Sequence, residues 1–317
     1  MKIALKKLEQ QVIVITGASS GIGLCTARLA AKAGARLVLA ARSEEALRRL
    51  CDEINQAGGR AVHVVADVSR QDDVRRIAEA ATAHFGGFDT WINNAGVSIY
   101  ASKHAVKGFT DGLRMELAMD GAPVSVTLIQ PSSIDTPYTV HAKNYMDREA
   151  KHGPPAYAPE TVARAIMHCC ATPERSGVVG GGGRAFIGME NWTPALLDKF
   201  METSFAQQEH AGYPPRPLAQ NGLDHAAGQL KERGNYPGHT RETSFYTEAV
   251  TAGNPALRTA LLVGAGLGLA AWLGRAKKST PANGANGHPA PADRPAPAYA
   301  EPLDGDEMDD VLEGGSL

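Results

Sequence analysis

The sequence predicts an α/β fold in which a parallel sheet lies between two layers of helices. Between residues 11 and 129, short β-branched runs alternate with amphipathic stretches of helical spacing, which is typical of parallel strands covered on both faces. A glycine-rich turn follows the first run directly and opens the first helix. Because each helix returns the chain for another parallel strand, these two observations predict a doubly wound sheet.

The elements are marked by apolar runs, helix caps and terminal glycines. The predicted strands cover residues 12–15, 36–40, 61–66, 88–92, 124–129 and 178–179. The predicted helices cover residues 24–33, 43–57, 72–85 and 102–119, then a stretch opened by Pro159, and last residues 194–205.

Composition and charge exclude several classes of protein. Of the 317 residues 43% are hydrophobic and 21% are charged, which allows a sizeable buried core. Lys and Arg (32) nearly balance Asp and Glu (34), so we do not expect nucleic-acid binding. The four cysteines and ten histidines form no metal motif, so no metal site is predicted. Free thiols and the lack of a signal-peptide pattern favour a cytoplasmic protein.

The chain divides by composition into four parts. Residues 7–207 carry the α/β pattern, and residues 208–254 form a polar extension that we expect to pack poorly. Residues 255–278 include an uncharged run, 259–274, bracketed by basic residues, which predicts a membrane-anchoring helix; a buried or dimerising helix is the alternative. Residues 279–317 are Pro/Ala-rich and then acidic, so we expect a disordered tail.

A glycine-rich loop stands where a βαβ unit holds a dinucleotide. Residues 16–23 read TGASSGIG and join the first strand to the first helix. Glycines there let the backbone approach a pyrophosphate, and the helix N-terminus supplies oriented N–H groups. The order of strand, loop and helix predicts a Rossmann-type fold that binds a dinucleotide through Gly17, Ser19, Ser20, Gly21, Ile22 and Gly23.

Two further motifs make a family resemblance specific. Asn93-Asn94-Ala95-Gly96 ends the fourth predicted strand, and Asp67-Val68 closes the third. With the Gly-x-x-x-Gly-x-Gly loop, they resemble the short-chain dehydrogenases/reductases over about residues 7–201. The resemblance implies hydride transfer between a nicotinamide cofactor and a small carbonyl or alcohol substrate. It places Asp67 and Val68 at the adenine ring, and Asn94, Ala95 and Gly96 along the cofactor.

Charge at the end of the second strand predicts which nicotinamide cofactor is bound. An NAD site commonly places a carboxylate there to accept from the ribose 2′-hydroxyl, whereas a 2′-phosphate needs a cation. The sequence has Arg42 at that point, and the acids that follow, Glu44 and Glu45, belong to the first turn of a helix. NADP(H) is therefore predicted over NAD(H).

The catalytic part of the family pattern is incomplete. The resemblance implies a Tyr-x-x-x-Lys pair, in which the lysine lowers the tyrosine pKa and holds the nicotinamide ribose. Lys103 matches the lysine, but Tyr100 stands only three residues before it. The family's crossover helix, and the strand with its catalytic serine and asparagine, have no room between Asn94 and Lys103, since a crossover takes a dozen or more residues. We therefore predict an internal deletion.

Several consequences of that deletion stay open. The strand at residues 124–129 could move beside the fourth strand, which would leave the sheet one strand short. Tyr100 and Lys103 could meet on one helix face as a substitute pair, although Tyr100 as an ordinary loop aromatic is the alternative. Ser98 and Ser102 are candidates to orient a carbonyl, with surface or capping serines as the alternative.

Three alternatives to an active oxidoreductase stay open. The chain could be a nucleotide-binding pseudoenzyme or a membrane-tethered interaction protein. The third alternative is that the natural protein carries a segment that this sequence lacks.

Pro131, Ile134 and Thr136 match the family loop that contacts the nicotinamide carboxamide, with Ser132 in place of its usual glycine. Relatives in the family often form a homo-oligomer through helices that flank the missing segment; its loss should disturb that interface, so the oligomeric state stays open. The residues from Pro131 to Tyr157 either cover a bound ligand or form an irregular connection.

Overall fold

The computed structural model describes residues 3–96, 100–143, 149, 153–205, 217, 221–222, 224–226, 230–234, 236 and 238–251. Its strands are β1 (Val12–Thr16), β2 (Arg36–Ala41), β3 (Arg60–Val65), β4 (Thr90–Ile92), β5 (Leu128–Pro131), β6 (Ala156–Tyr157), β7 (Ser176–Val179) and β8 (Thr240–Arg241). Its helices are α1 (Gly21–Lys32), α2 (Glu44–Gln56), α3 (Gln71–Phe85), α4 (Tyr100–Met119), α5 (Tyr138–His141), α6 (Pro159–Ala171), α7 (Gly181–Trp192), α8 (Pro194–Phe205) and α9 (Phe245–Thr251).

The first four strands form a parallel sheet in the order β3-β2-β1-β4. The register places Val14 of β1 between Val38 of β2 and Trp91 of β4. Strands β1 and β2 are buried on both faces, because α1 and α2 pack on one face and α3 packs on the other. A strand covered on both sides needs apolar residues in succession, as in VIVIT. The predicted three-layer α/β fold is confirmed.

The later strands do not extend this sheet. Strand β5 pairs with β7, with Ile129 opposite Gly177, and these two form a separate sheet within the described part of the chain. The prediction that this strand moves beside the fourth strand is therefore wrong, and the strand covers Leu128–Pro131 instead of the predicted residues 124–129. Pairing with β7 buries apolar side chains against α6, in a cluster that includes Val162, Ile166 and Val179.

Helix α4 begins two residues earlier than predicted and leaves much of its apolar stripe uncovered. Phe109 is 71% exposed and Met115 is 64% exposed. Polar contacts hold the helix, because Arg114 donates to the carbonyl oxygens of Val126 and Arg175, each at 3.0 Å. An amphipathic helix normally turns its apolar side to a partner, and no described residue covers this part of the stripe.

Part of the C-terminal extension packs on the α/β part, which corrects the expectation of poor packing. Strand β8 pairs with β6, and α9 packs near α6 and β7. Thr247 of α9 is buried and accepts a hydrogen bond from the amide of Gly180. These contacts join residues more than sixty positions apart, so local composition could not reveal them. Among the described residues no helix is long and apolar enough to cross a membrane; the predicted anchor, 259–274, and tail, 279–317, lie outside them.

Candidate active site

The loop between β1 and α1 has the tight backbone that a dinucleotide site requires. Gly17 and Gly21 have φ of 69° and 54°, which glycine adopts readily. A Cβ on Gly23 would lie 2.2 Å from the carbonyl oxygen of Gly17, so a larger residue would force the loop open. The loop therefore brings its backbone amides to the N-terminus of α1, where an anion is stabilised.

The Asn-Asn-Ala-Gly motif packs directly on this loop. The Asn94 side-chain amide donates to the carbonyl oxygens of Thr16 at 3.0 Å and Gly17 at 3.2 Å. The hydroxyl oxygen of Thr16 accepts from the amides of Asn94 and Ala95, both at 3.1 Å. Gly17 also lies close to Ala95, because a Cβ added to Gly17 would be 2.9 Å from the Cα of Ala95. The two motifs therefore form one structural unit, in which Thr16 has a role that the sequence reasoning did not assign.

The predicted adenosine residues follow neighbouring strands. Arg42 comes directly after β2, and Asp67 lies two residues beyond β3. The Asp67 carboxylate accepts from the amide of Ser69 at 3.0 Å and from its hydroxyl at 2.8 Å. These hydrogen bonds, and more weakly the positive charge of Arg42, lower the pKa of Asp67. Val68 is 41% exposed, so its side chain is accessible to an adenine ring.

The loop after β5 reaches the glycine-rich loop, as a nicotinamide-contacting loop must. Ile134 and Thr136 are buried, and a Cβ on Gly21 would lie 3.4 Å from Thr136. Ser132 fits because its neighbours are glycines: a Cβ on Gly180 would be 2.3 Å from the Ser132 hydroxyl oxygen. The glycine run at the start of α7 thus accommodates the serine at this turn.

The predicted catalytic residues lie in the first turn of α4. Tyr100 is the first residue of the helix, and Lys103, three residues later, is exposed. The side chain of Tyr100, and Ser98 as a whole, lie outside the described residues. The predicted condition for a substitute pair, a helix that begins early enough, is therefore met by the backbone. In the described part of the chain no group of three His, Cys, Asp or Glu side chains is placed to hold a metal.

A segment of the extension crosses the glycine-rich loop, and the sequence reasoning missed it entirely. The amide of Gly21 donates to the carbonyl oxygen of Lys231 at 2.8 Å, and the amide of Leu230 donates to that of Ser19 at 3.2 Å. Further along, the amide of Gly234 donates to the buried Asp135 carboxylate at 3.1 Å. No motif marks these residues, because their partners stand about a hundred positions or more earlier in the sequence.

Comparison with known proteins identifies the family. The short chain dehydrogenase model matches residues 11–100. The uncharacterized oxidoreductase YxnA of Bacillus subtilis is 38% identical over 333 residues, which cover 86% of this chain and 92% of that protein. The chain belongs to the short-chain dehydrogenase family. The uncharacterized oxidoreductase Lin0452 of Listeria innocua is 28% identical over 201 residues, which cover 63% of this chain and 70% of that protein.

A solved short-chain dehydrogenase/reductase supports the fold. The enzyme from Burkholderia phymatum, crystallised in complex with NAD, matches with a TM-score of 0.53 at 22% identity, over 61% of this chain and 96% of its own. As a short-chain dehydrogenase, this chain is an oxidoreductase of CH–OH and C=O groups that uses a nicotinamide cofactor. The glycine-rich loop and the Asn94 unit described above carry the two sequence motifs that resemble the family's cofactor site.

Proposed function

We propose that this chain is an NADP(H)-dependent short-chain oxidoreductase that interconverts a carbonyl group and an alcohol in a small molecule. The tight loop formed by Gly17, Gly21 and Gly23, here called the glycine cradle, carries the proposal. A Cβ at Gly23 would collide with the backbone of Gly17, so the loop keeps its shape only with glycine at this position. The nicotinamide ring, when bound, supplies the hydride donor or acceptor. The protein's own residues bind the phosphates, select the 2′-substituent and handle the proton.

The proposal assigns residues of this chain to each part of NADP(H). The glycine cradle and the N-terminus of α1 would hold the pyrophosphate. Arg42 would pair with the 2′-phosphate, since no acid stands at the end of β2. Asp67 and Val68 would border the adenine. Residues along the middle of the cofactor, between its adenine and its nicotinamide, would be Asn94, Ala95 and Gly96. The nicotinamide carboxamide would be bordered by Pro131, Ile134 and Thr136.

Proton transfer is assigned to Tyr100, with Lys103 as its neighbouring cation. Residues three apart in a helix are neighbours on one face, so the two can approach each other in the first turn of α4. A cation close to a phenol favours its ionised form and lowers its pKa, which prepares the hydroxyl to give up a proton at neutral pH. During reduction Tyr100 would donate that proton to the substrate oxygen while Lys103 holds the nicotinamide ribose.

We further propose that a crossover helix and a strand are missing between Gly96 and Tyr100. The family match ends at residue 100, and the alignment with YxnA spans 333 positions, more than the 317 residues of this chain. Among the described strands β4 is paired with β1 alone, while β5 lies in another sheet. Beside β4 a groove is lined by Gln71, Val74, Arg75, Ala78 and Trp91, on the α3 face where a following crossover would pack.

Nucleotide titration combined with turnover assays tests the proposal. NADPH binding, followed by its fluorescence, should weaken about tenfold or more in Arg42→Ala while NADH binding changes little. Ketone-dependent NADPH oxidation should fall in Tyr100→Phe and Lys103→Ala. The matched control is Lys107→Ala, an exposed lysine one turn further along α4. Wild-type protein that binds neither nucleotide would refute the cofactor site.

A nucleotide-binding pseudoenzyme is the second candidate, favoured by the missing serine and asparagine segment. It predicts NADPH binding of normal strength without oxidation of NADPH by any member of a ketone and aldehyde panel. Turnover that Tyr100→Phe abolishes would reject it. Membrane tethering through residues 259–274 stays a prediction, which vesicle flotation of the full chain would test. The formation of a homo-oligomer stays an open alternative, which light scattering would test.

A further inference from the structure

Residues 230–234, here called the strap, lie where the pyrophosphate would bind. The strap contributes the carbonyl oxygen of Lys231, which accepts the amide hydrogen of Gly21 at 2.8 Å. Gly21 opens α1, so this amide is one of the donors at the helix N-terminus that an anion would use. One N–H group cannot serve a carbonyl oxygen and a phosphate oxygen at full strength. The strap and the nucleotide therefore compete for the same donor.

Ion pairs anchor the strap to α1 and to α6. Glu232 pairs with Arg28 of α1 at 2.6 Å. Arg233 pairs with Glu160 of α6 at 2.9 Å and with Glu242 at 2.6 Å. These contacts make the strap part of the folded molecule, although each is partly exposed and so contributes little by itself.

The strap also contacts the loop that borders the nicotinamide position. Gly234 donates its amide to Asp135 at 3.1 Å, and a Cβ on Gly234 would lie only 2.4 Å from the carbonyl oxygen of Thr136. Gly222, which precedes the strap in the same extension, accepts a hydrogen bond from Arg42, the residue assigned to the 2′-phosphate. The strap therefore touches two places that NADP(H) would contact, and Gly222 touches a third.

We propose that the strap is an autoinhibitory element that NADP(H) must displace from the glycine-rich loop. This inference rests on the proposed dinucleotide site. Only molecules with the strap released are competent to bind, so the apparent dissociation constant exceeds the intrinsic one by the reciprocal of their fraction. Loosening the strap therefore tightens nucleotide binding.

Two substitutions loosen the strap by different means. Gly234→Ala adds a methyl group against the backbone of Thr136, and Glu232→Gln weakens the pair with Arg28. Both should lower the NADPH dissociation constant of the full chain about threefold to tenfold. Gly188→Ala, where a Cβ meets nothing within 4 Å, and Glu53→Gln, which removes the other partner of Arg28, are the matched controls and should not tighten binding.

Hydrogen exchange of the wild-type chain gives a measurement independent of the variants. In the nucleotide-free protein the amide of Leu230, bonded to Ser19, should be protected, and NADPH should accelerate its exchange. Protection that rises with NADPH would overturn the proposal, because the strap would then close over the nucleotide. NADPH binding of equal strength in wild type and all variants would overturn the autoinhibitory role of the strap and leave the dinucleotide site standing. No binding in wild type, Gly234→Ala or Glu232→Gln would overturn it together with the dinucleotide site.

Discussion

At the scale of single residues, Gly23 links the shape of the glycine-rich loop to cofactor binding. Gly23→Ala would place a methyl group 2.2 Å from the carbonyl oxygen of Gly17 and 2.5 Å from the Asn94 side chain. We expect NADPH affinity to fall about tenfold or more, and the free energy of unfolding to fall by about 1–3 kcal/mol because the loop must open. Nucleotide titration and urea unfolding measure the two effects.

The control for this substitution is Gly112→Ala in α4, where a Cβ meets nothing within 4 Å. There alanine should leave NADPH binding unchanged and raise helix stability by up to about 1 kcal/mol. Equal NADPH affinity in wild type and Gly23→Ala would contradict the assigned cradle.

The buried thiols give a second test at this scale. Burial raises the pKa of Cys25 and of Cys170 to about 12, and of Cys51 to about 11. Because the thiolate is the reactive form, these three cysteines should resist iodoacetamide at pH 8 in the folded protein and react once urea unfolds it. Peptide mass spectrometry reads the sites. Rapid alkylation of Cys25 in the folded chain would contradict its burial within α1.

At the scale of elements, local patterns predict what local interactions determine. The strands β1 to β3 and the helices α1 to α3 begin and end within a few residues of the bounds expected from apolar runs and terminal glycines. The sequence also predicts the glycine-rich loop, because strand, loop and helix are adjacent in it. It does not predict helix α7, since the first three residues of that helix are glycines with little intrinsic helix propensity. The partner of β5 and the strap depend on contacts between distant residues, which no local pattern records.

The apolar stripe of α4 yields a prediction at the same scale. Phe109 is 71% exposed, so Phe109→Ser should change the free energy of unfolding by no more than about 0.5 kcal/mol. Ile77 of α3 is fully buried, so Ile77→Ala should cost about 2–5 kcal/mol. Urea unfolding of the two variants under identical conditions measures this contrast. A loss of several kcal/mol in Phe109→Ser would mean that a partner covers α4 in solution.

At the scale of the whole molecule, the nucleotide half and the catalytic half differ in completeness. The sheet β3-β2-β1-β4 supports both the glycine cradle and the Asn94 unit, and its elements pack closely. After β4 the described strands no longer extend this sheet, because β5 pairs with β7. In the same region α4 turns apolar side chains to solvent. The proposed deletion would explain both features, since it removes a strand and a helix that would bridge β4 and β5. Nucleotide binding should therefore be retained more fully than turnover.

Restoring the bridge tests this explanation directly. A crossover helix and a strand with a serine and an asparagine, as the family resemblance implies, inserted between Gly96 and Tyr100, should pair with β4 and pack on Val74, Ala78 and Trp91. Covering Trp91 should shift its fluorescence to shorter wavelength, with Trp91→Phe of the same chimera as the control. Because the added strand would also bring a serine and an asparagine to the site, ketone-dependent NADPH oxidation should rise above that of the present chain while NADPH affinity stays similar. A folded chimera whose Trp91 emission and turnover match those of the present chain would show that the exposed face has another origin.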